Sequence, residues 1–399
     1  MSAAAEDRLI DAVRSRLRQA LDQDWRDATY ARGAAGQLLA LGALDELAVA
    51  RGDAPSFDAG WLAELLMRLL AQLPRYPHGL FQGMQGMLLA ALELDRCRQL
   101  GLAEEVACEA DEHLMDCLRR GVDLPEHFDL IGGLGGLLVY AAYREQQGSA
   151  LPLAEACTAR LAAMARPDGA GGWSWFTPAA WIRGFPMGEV HPTGCTDLGV
   201  AHGQAGVLAA LAYAQATRVS GAAQGRELLL GSLQTLRRHE QSGGPAHFGV
   251  AAEEAGGSRC AWCYGDLGMA AALQLSAQAL DDPGLDDWAQ RLLQSLSRRP
   301  LQNLGFSDAW LCHGSIGSAW LLRQLAPQRS GLAAHFQRQH ALEGDDGLLA
   351  AWAADEAPDL SLLEGYAGLA LALAEAQQAR APSLRWSLPF LAGRRALQA

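Results

Sequence analysis

The stretch "AHGQAGVLAAL", residues 201–211, sets two glycines three apart at the head of a run made of alanine, leucine and valine. Such a run is apolar all round, which suits a buried helix better than a surface one. The same device recurs along the chain. It stands at Gly33/Gly36 in "ARGAAGQLLAL", Gly83/Gly86 in "FQGMQGMLLAAL" and Gly133/Gly136 in "IGGLGGLLVY". It returns after Gly203/Gly206 at Gly265/Gly268 in "CYGDLGMAAAL", Gly314/Gly317 in "CHGSIGSAWLL" and Gly365/Gly368 in "LEGYAGLALAL". The spacings between first glycines are 50, 50, 70, 62, 49 and 51 residues, room for two helices and two loops per unit. Lacking side chains, the glycines let each helix start approach a neighbouring backbone.

Between these runs lie amphipathic stretches such as "GRELLLGSLQTLRRHEQ" and "LDDWAQRLLQSLSRR". Inner helices that are wholly buried, alternating with outer ones that are half buried, imply an all-α fold. The expected architecture is an α/α toroid, a double ring of seven inner and seven outer helices, read as a single domain over residues 1–399. In such a ring the inner helices share one direction, so the residues before each glycine pair gather at one cavity.

The chain has 399 residues, half of them hydrophobic, and a net charge of −13. That charge argues against a nucleic-acid partner, which needs clustered Lys and Arg. The N-terminal "MSAAAEDRLIDAVRSRLRQAL" reads as an amphipathic helix rather than a leader, and no stretch is long and clean enough for a membrane span. A cytoplasmic location is expected. The eight cysteines are then not a disulfide framework, and Cys97, Cys108, Cys117 and Cys157 read as small buried side chains on helices.

Cys263, Cys312 and His313 stand immediately ahead of glycine pairs. Two thiols and an imidazole are three zinc-type ligands, and three protein ligands leave a tetrahedral position open, as in catalytic sites. Adjacent ligands such as Cys312 and His313 point about 100° apart in a regular helix, so they share a metal only in a turn or at a helix start. Cys260 in "CAWC" leaves other readings open. It could close the site as a fourth ligand, pair with Cys263 as a redox dithiol, or sit with the others in a metal-free core.

The motifs "WCYGDLG", "CHGSIG", "AHGQAG" and "FDLIGGLGG" resemble those of the lanthipeptide (lantibiotic) synthetase C family, the LanC-type cyclases, over essentially the whole chain. The resemblance implies one zinc and an enzyme that closes thioether rings in ribosomally made peptides. It places zinc on Cys263, Cys312 and His313, assigns catalysis to His202, Asp129 and Arg259, and puts Tyr264 near the metal. It also implies a dehydrated precursor peptide as substrate, with a dehydratase and an exporter as further partners. A second reading within the family adds glutathione to dehydroamino acids in proteins. The only candidate for the insertion that bacterial members often carry is the loop-rich stretch 168–199. It is too short for a sizeable extra domain, and its His191 and Cys195 read as ordinary loop residues.

The chemistry supports these roles. A free thiol is only a few per cent thiolate at neutral pH, and a metal deprotonates it. His202 is the first choice for protonating the α-carbon after sulfur attack, because its ordinary pKa lies near the working pH. Asp129 would orient it, with helix capping as the plainer role; Arg259 would stabilise an enolate oxygen or form a surface ion pair. A glycosidase would need two facing carboxylates, for which only Asp129 and Glu364 stand at repeat mouths. A metal-stabilised scaffold would follow from four-coordinate zinc.

Overall fold

The computed structural model describes residues 3–242, 244, 246–254, 256–340, 347–378 and 381–397. Among them, seven helices begin directly after the first glycine of each pair: α2 (Ala34–Ala50), α4 (Met84–Arg98), α6 (Leu134–Gln146), α10 (Gln204–Ala216), α12 (Asp266–Leu280), α14 (Ser315–Leu325) and α17 (Tyr366–Ala376). Seven more precede or separate them: α1 (Ala3–Leu21), α3 (Ala59–Leu70), α5 (Glu104–Arg120), α7 (Leu153–Met164), α11 (Ala222–His239), α13 (Pro283–Leu296) and α15 (Ser330–Gln337). The short helices α8 (Ala179–Ile182), α9 (Pro186–Val190) and α16 (Leu348–Ala354) complete the set among the described residues.

Burial separates the two kinds of helix. In α10 every residue from Gln204 to Ala214 is buried. In α13 the buried residues are Leu285, Trp288, Ala289, Leu292, Leu293 and Leu296, one stripe at helical spacing. Each fully buried leucine contributes about 1.5–3 kcal/mol relative to exposure. Outer helices carry their own start signals: Asp58 accepts from Trp61 N at 2.9 Å, and Asp282 accepts from Gly284 N beside Pro283 at the first turn of α13.

In six of the seven pairs the second glycine answers to the chain's own loop. A Cβ at Gly36 would lie 2.0 Å from the Tyr30 carbonyl oxygen, and one at Gly206 2.0 Å from that of Val200. Gly86, Gly268, Gly317 and Gly368 face the same obstruction, at 1.7 to 2.2 Å. Each of these six head loops folds back over its helix start. The amide after the first glycine closes this turn, as in Gln204 N donating to Asp197 O at 2.8 Å and Ser315 N donating to Asp308 O at 2.9 Å. Gly265 differs, with φ +103, a conformation that favours glycine outright.

The chain divides into two compact units, residues 1–111 with 306–389, and residues 112–305 with 390–399. In the first unit the head loops before α14, α17, α2 and α4 bond in series. Cys312 N donates to Leu363 O (3.0 Å), Leu363 N to Ala31 O (3.0 Å) and Ala31 N to Phe81 O (2.9 Å). The last repeat therefore joins the first, and α17 packs on both α1 and α2. Residues 384–389 fill the core of this unit. Trp386 is wholly buried, its indole donating to Glu375, which also accepts from Trp320, while Arg385 pairs with buried Glu93.

In the second unit the head loops before α6, α10 and α12 continue the same pattern: Leu130 N donates to Ala201 O (3.2 Å) and Val200 N to Cys263 O (2.8 Å). Trp262 is buried against Phe390 and donates to its carbonyl at 2.7 Å. Here too lies the stretch 168–199. It carries α8 and α9, β2 (Trp173–Ser174), which pairs antiparallel with β1 (Arg166–Pro167) just before the stretch, and the antiparallel pair β3 (Thr177–Pro178) with β4 (Gly194–Cys195).

The cysteine reading needs a correction. No described cysteine is in a disulfide, and Cys117 and Cys157 are buried as expected, but Cys108 is exposed and Cys97 only half buried. Both sit on sides of their helices that the apolar core does not cover, near the polar partners Glu104 and Ser383 respectively.

Candidate active site

In the second unit the structure brings Asp129 and His202 together across 73 residues of sequence. Asp129 Oδ2 lies 2.7 Å from His202 Nδ1, while Asp129 Oδ1 accepts from Gly132 N at 2.9 Å. The aspartate thus ties its own loop with one oxygen and grips the imidazole of the next with the other. It is buried, whereas the His202 side chain is 50% exposed. Burial of the ring favours neutral imidazole, but the Asp129 carboxylate, with the charges of Asp197 and Cys263, outweighs it. The His202 pKa is held above the ordinary value. With Nδ1 engaged, Nε2 is the nitrogen left to meet a substrate.

Tyr264 donates its hydroxyl proton to Asp197 Oδ2 at 2.7 Å, and Asp197 Oδ1 accepts from Gly199 N at 2.7 Å. Asp197 is almost wholly buried, which pushes its pKa up to about 6 against the opposing bonds from Tyr264 and Gly199. Burial also pushes the Tyr264 phenol well above its usual range, with the Asp197 charge adding to the effect. Cys263 is 6% exposed, and its carbonyl accepts from the loop that carries His202. Arg259 is exposed, and its guanidinium makes no hydrogen bond or ion pair among the described residues.

Cys260 is wholly buried, and its amide donates to Leu304 O at 2.7 Å. Burial pushes its thiol far up, the opposite of what a thiolate ligand or a redox dithiol needs. His191 pairs with Glu254 at 2.7 Å. Cys195 is buried in β4, its thiol pushed up to about 12 by burial and by the neighbouring charges of Asp197, Glu253 and Glu254.

In the first unit Cys312 and His313 sit in the turn just before α14, where adjacent residues can converge. Cys312 Sγ and a ring nitrogen of His313 lie within 4.8 Å of each other. His313 Nε2 is 3.0 Å from Asp308 Oδ2. Burial opposes the charge of Asp308, but the His313 bond and the Trp310 amide hold its pKa below the usual range. Glu364 is taken by Arg32 at 3.0 Å.

Asp197 and Asp308 escape a reading of the sequence by motif, yet a signal for them exists. An aspartate stands six residues before the first glycine in four repeats, at Asp27, Asp197, Asp308 and Asp359. In each, Oδ1 accepts from the amide two residues on, that of Thr29, Gly199, Trp310 or Ser361, at 2.7 to 3.0 Å.

Glycine-headed buried helices whose loops present an imidazole–carboxylate pair and a thiol–imidazole turn define a helical protein with its candidate site in the head loops. The chain belongs to the lanthionine synthetase C-like family: the family model described as "Lanthionine synthetase C-like protein" matches residues 24–381. It is 33% identical over 147 residues to the nisin biosynthesis protein NisC of Lactococcus lactis subsp. lactis, covering 32% of this chain and 33% of that protein. The matched stretch thus spans a third of that relative's length. A solved nisin cyclase is similar with a TM-score of 0.73 at 20% identity, covering 97% of both chains. At that identity the likeness shows the fold, and it is the all-α class read from the glycine repeat.

Proposed function

We propose that this protein is a zinc-dependent lanthionine cyclase. It adds a cysteine thiolate of a dehydrated, ribosomally made peptide to a dehydroalanine or dehydrobutyrine of the same peptide. The observation that carries this reading is the Asp129–His202 pair, a half-exposed imidazole held by a buried carboxylate, in a chain of the lanthionine synthetase C-like family. NisC, a partial match, is a nisin biosynthesis protein by name, which agrees with a peptide substrate.

The donor chemistry fits zinc. Cys263, Cys312 and His313 would hold it, two soft thiolates and an imidazole that leave one position for substrate. When bound, zinc would hold the substrate sulfur as thiolate, and the two protein thiolates, by cancelling the metal's charge, would keep that sulfur nucleophilic.

The remaining work falls to the chain's own groups. The sulfur forms its bond to the β-carbon, the double-bond electrons move onto the adjacent carbonyl as an enolate, and the α-carbon then takes a proton. His202 Nε2 supplies that proton, while Asp129 holds Nδ1 and stabilises the charged ring. Tyr264 has its only hydroxyl proton committed to Asp197, so towards a substrate it acts as an acceptor. Arg259, whose exposed guanidinium makes no hydrogen bond or ion pair among the described residues, would meet the enolate oxygen. The wider setting proposed is cytoplasmic, with a dehydratase supplying the substrate and an exporter removing the product. No described helix is long and apolar enough to cross a membrane.

The test is direct. Purified protein should carry close to one zinc per chain, and a dehydrated peptide incubated with it should lose its alkylatable thiols without changing mass. A peptide that keeps its thiols, or that gains the mass of added glutathione instead, contradicts the proposal.

A further inference from the structure

The aspartate six residues before the first glycine has one recurrent task, closing its own turn through Oδ1. Asp308 does this towards Trp310 N at 3.0 Å, as Asp359 does towards Ser361 N at 2.8 Å. In the Asp359 repeat the two residues before the glycine are Leu363 and Glu364, neither of them a thiol or an imidazole. In the Asp308 repeat they are Cys312 and His313, and there the second carboxylate oxygen reaches the imidazole.

We propose that Asp308 is a positioning residue that selects which nitrogen of His313 binds metal. The inference rests on the zinc reading above. An ionised carboxylate only accepts hydrogen bonds, so at 3.0 Å it draws the ring proton onto Nε2. A neutral imidazole with its proton on Nε2 carries its lone pair on Nδ1, which becomes the metal donor. The carboxylate is itself fixed. Oδ1 is held by the Trp310 amide, Oδ2 accepts from the Ser307 hydroxyl at 2.9 Å, and the Asp308 carbonyl takes the Ser315 amide at the head of α14. Partners of this kind set the orientation and basicity of metal-bound histidines.

Asp308→Asn tests this in the full chain. Asparagine keeps the oxygen that the Trp310 amide needs, but turns an NH2 group towards Nε2. That group donates, so the ring proton is driven to Nδ1 and the donor lone pair is lost. Competition with a chromogenic zinc chelator should show affinity reduced about 10–100-fold. Asp359→Asn, the same change at the same repeat position, should leave affinity unchanged. An Asp308→Asn protein with wild-type affinity overturns the inference alone. A wild-type protein that takes up no zinc overturns the zinc reading, and this inference falls with it. Should the variant not fold, nitrogen NMR of labelled zinc-free wild-type protein decides the matter: His313 protonated on Nε2 is expected, and protonation on Nδ1 is the contrary result.

Discussion

His202 and His313 stand at the same place in their repeats, directly before the first glycine, yet opposite ring nitrogens are tied. Asp129, from another loop, takes Nδ1 of His202 at 2.7 Å; Asp308, from the same loop, takes Nε2 of His313 at 3.0 Å. The His202 side chain is 50% exposed and that of His313 20%. One position on one scaffold thus has Nδ1 tied in the first case and Nε2 in the second. A repeat supplies the place, and the carboxylate that reaches it decides the chemistry.

The largest effect is expected from breaking the first half of this contrast. His202→Asn should keep its zinc and its peptide affinity, because His202 is not among the proposed ligands. Ring closure should slow by about 10²–10⁴-fold, the usual cost of losing a general acid. Thiol alkylation read by mass spectrometry follows the rate, and a variant that cyclises at the wild-type rate removes His202 from the mechanism.

A smaller effect concerns the scaffold that both histidines share. Gly36→Ala puts a methyl group 2.0 Å from the Tyr30 carbonyl and should destabilise by about 1–3 kcal/mol in thermal or denaturant unfolding. At Gly331 on α15 an added Cβ meets nothing within 4 Å, so Gly331→Ala should be neutral or stabilise by up to about 1 kcal/mol. Equal costs at the two sites would show that the head-loop glycines are not there for close approach.

The start of every inner helix is legible in the sequence, since the need for glycine arises within a few residues. The stripe that makes α13 an outer helix is equally local. The Asp129–His202 contact is legible as a pairing of candidates, because both residues flank glycine pairs. Asp197 and Asp308 are not, because an aspartate before a turn looks like a turn residue until its second oxygen is seen to reach Tyr264 or His313. The role of the C-terminal segment is hidden for another reason. Trp262 and Phe390 are 128 residues apart, and no local pattern marks residues 384–390 as core filling. The short strands in 166–195 are two residues each, too brief for any periodicity to register.

The pH dependence of ring closure tests most directly whether His202 is an acid made available by Asp129. In the proposed mechanism protonated His202 is the competent form, and Asp129 raises its pKa against the effect of burial. In the wild type the rate should therefore hold to a pH above the ordinary histidine value before it falls. Asp129→Asn removes the largest favourable charge, so the falling limb should move to lower pH and the plateau should drop. A limb in the same place in both proteins would contradict the account.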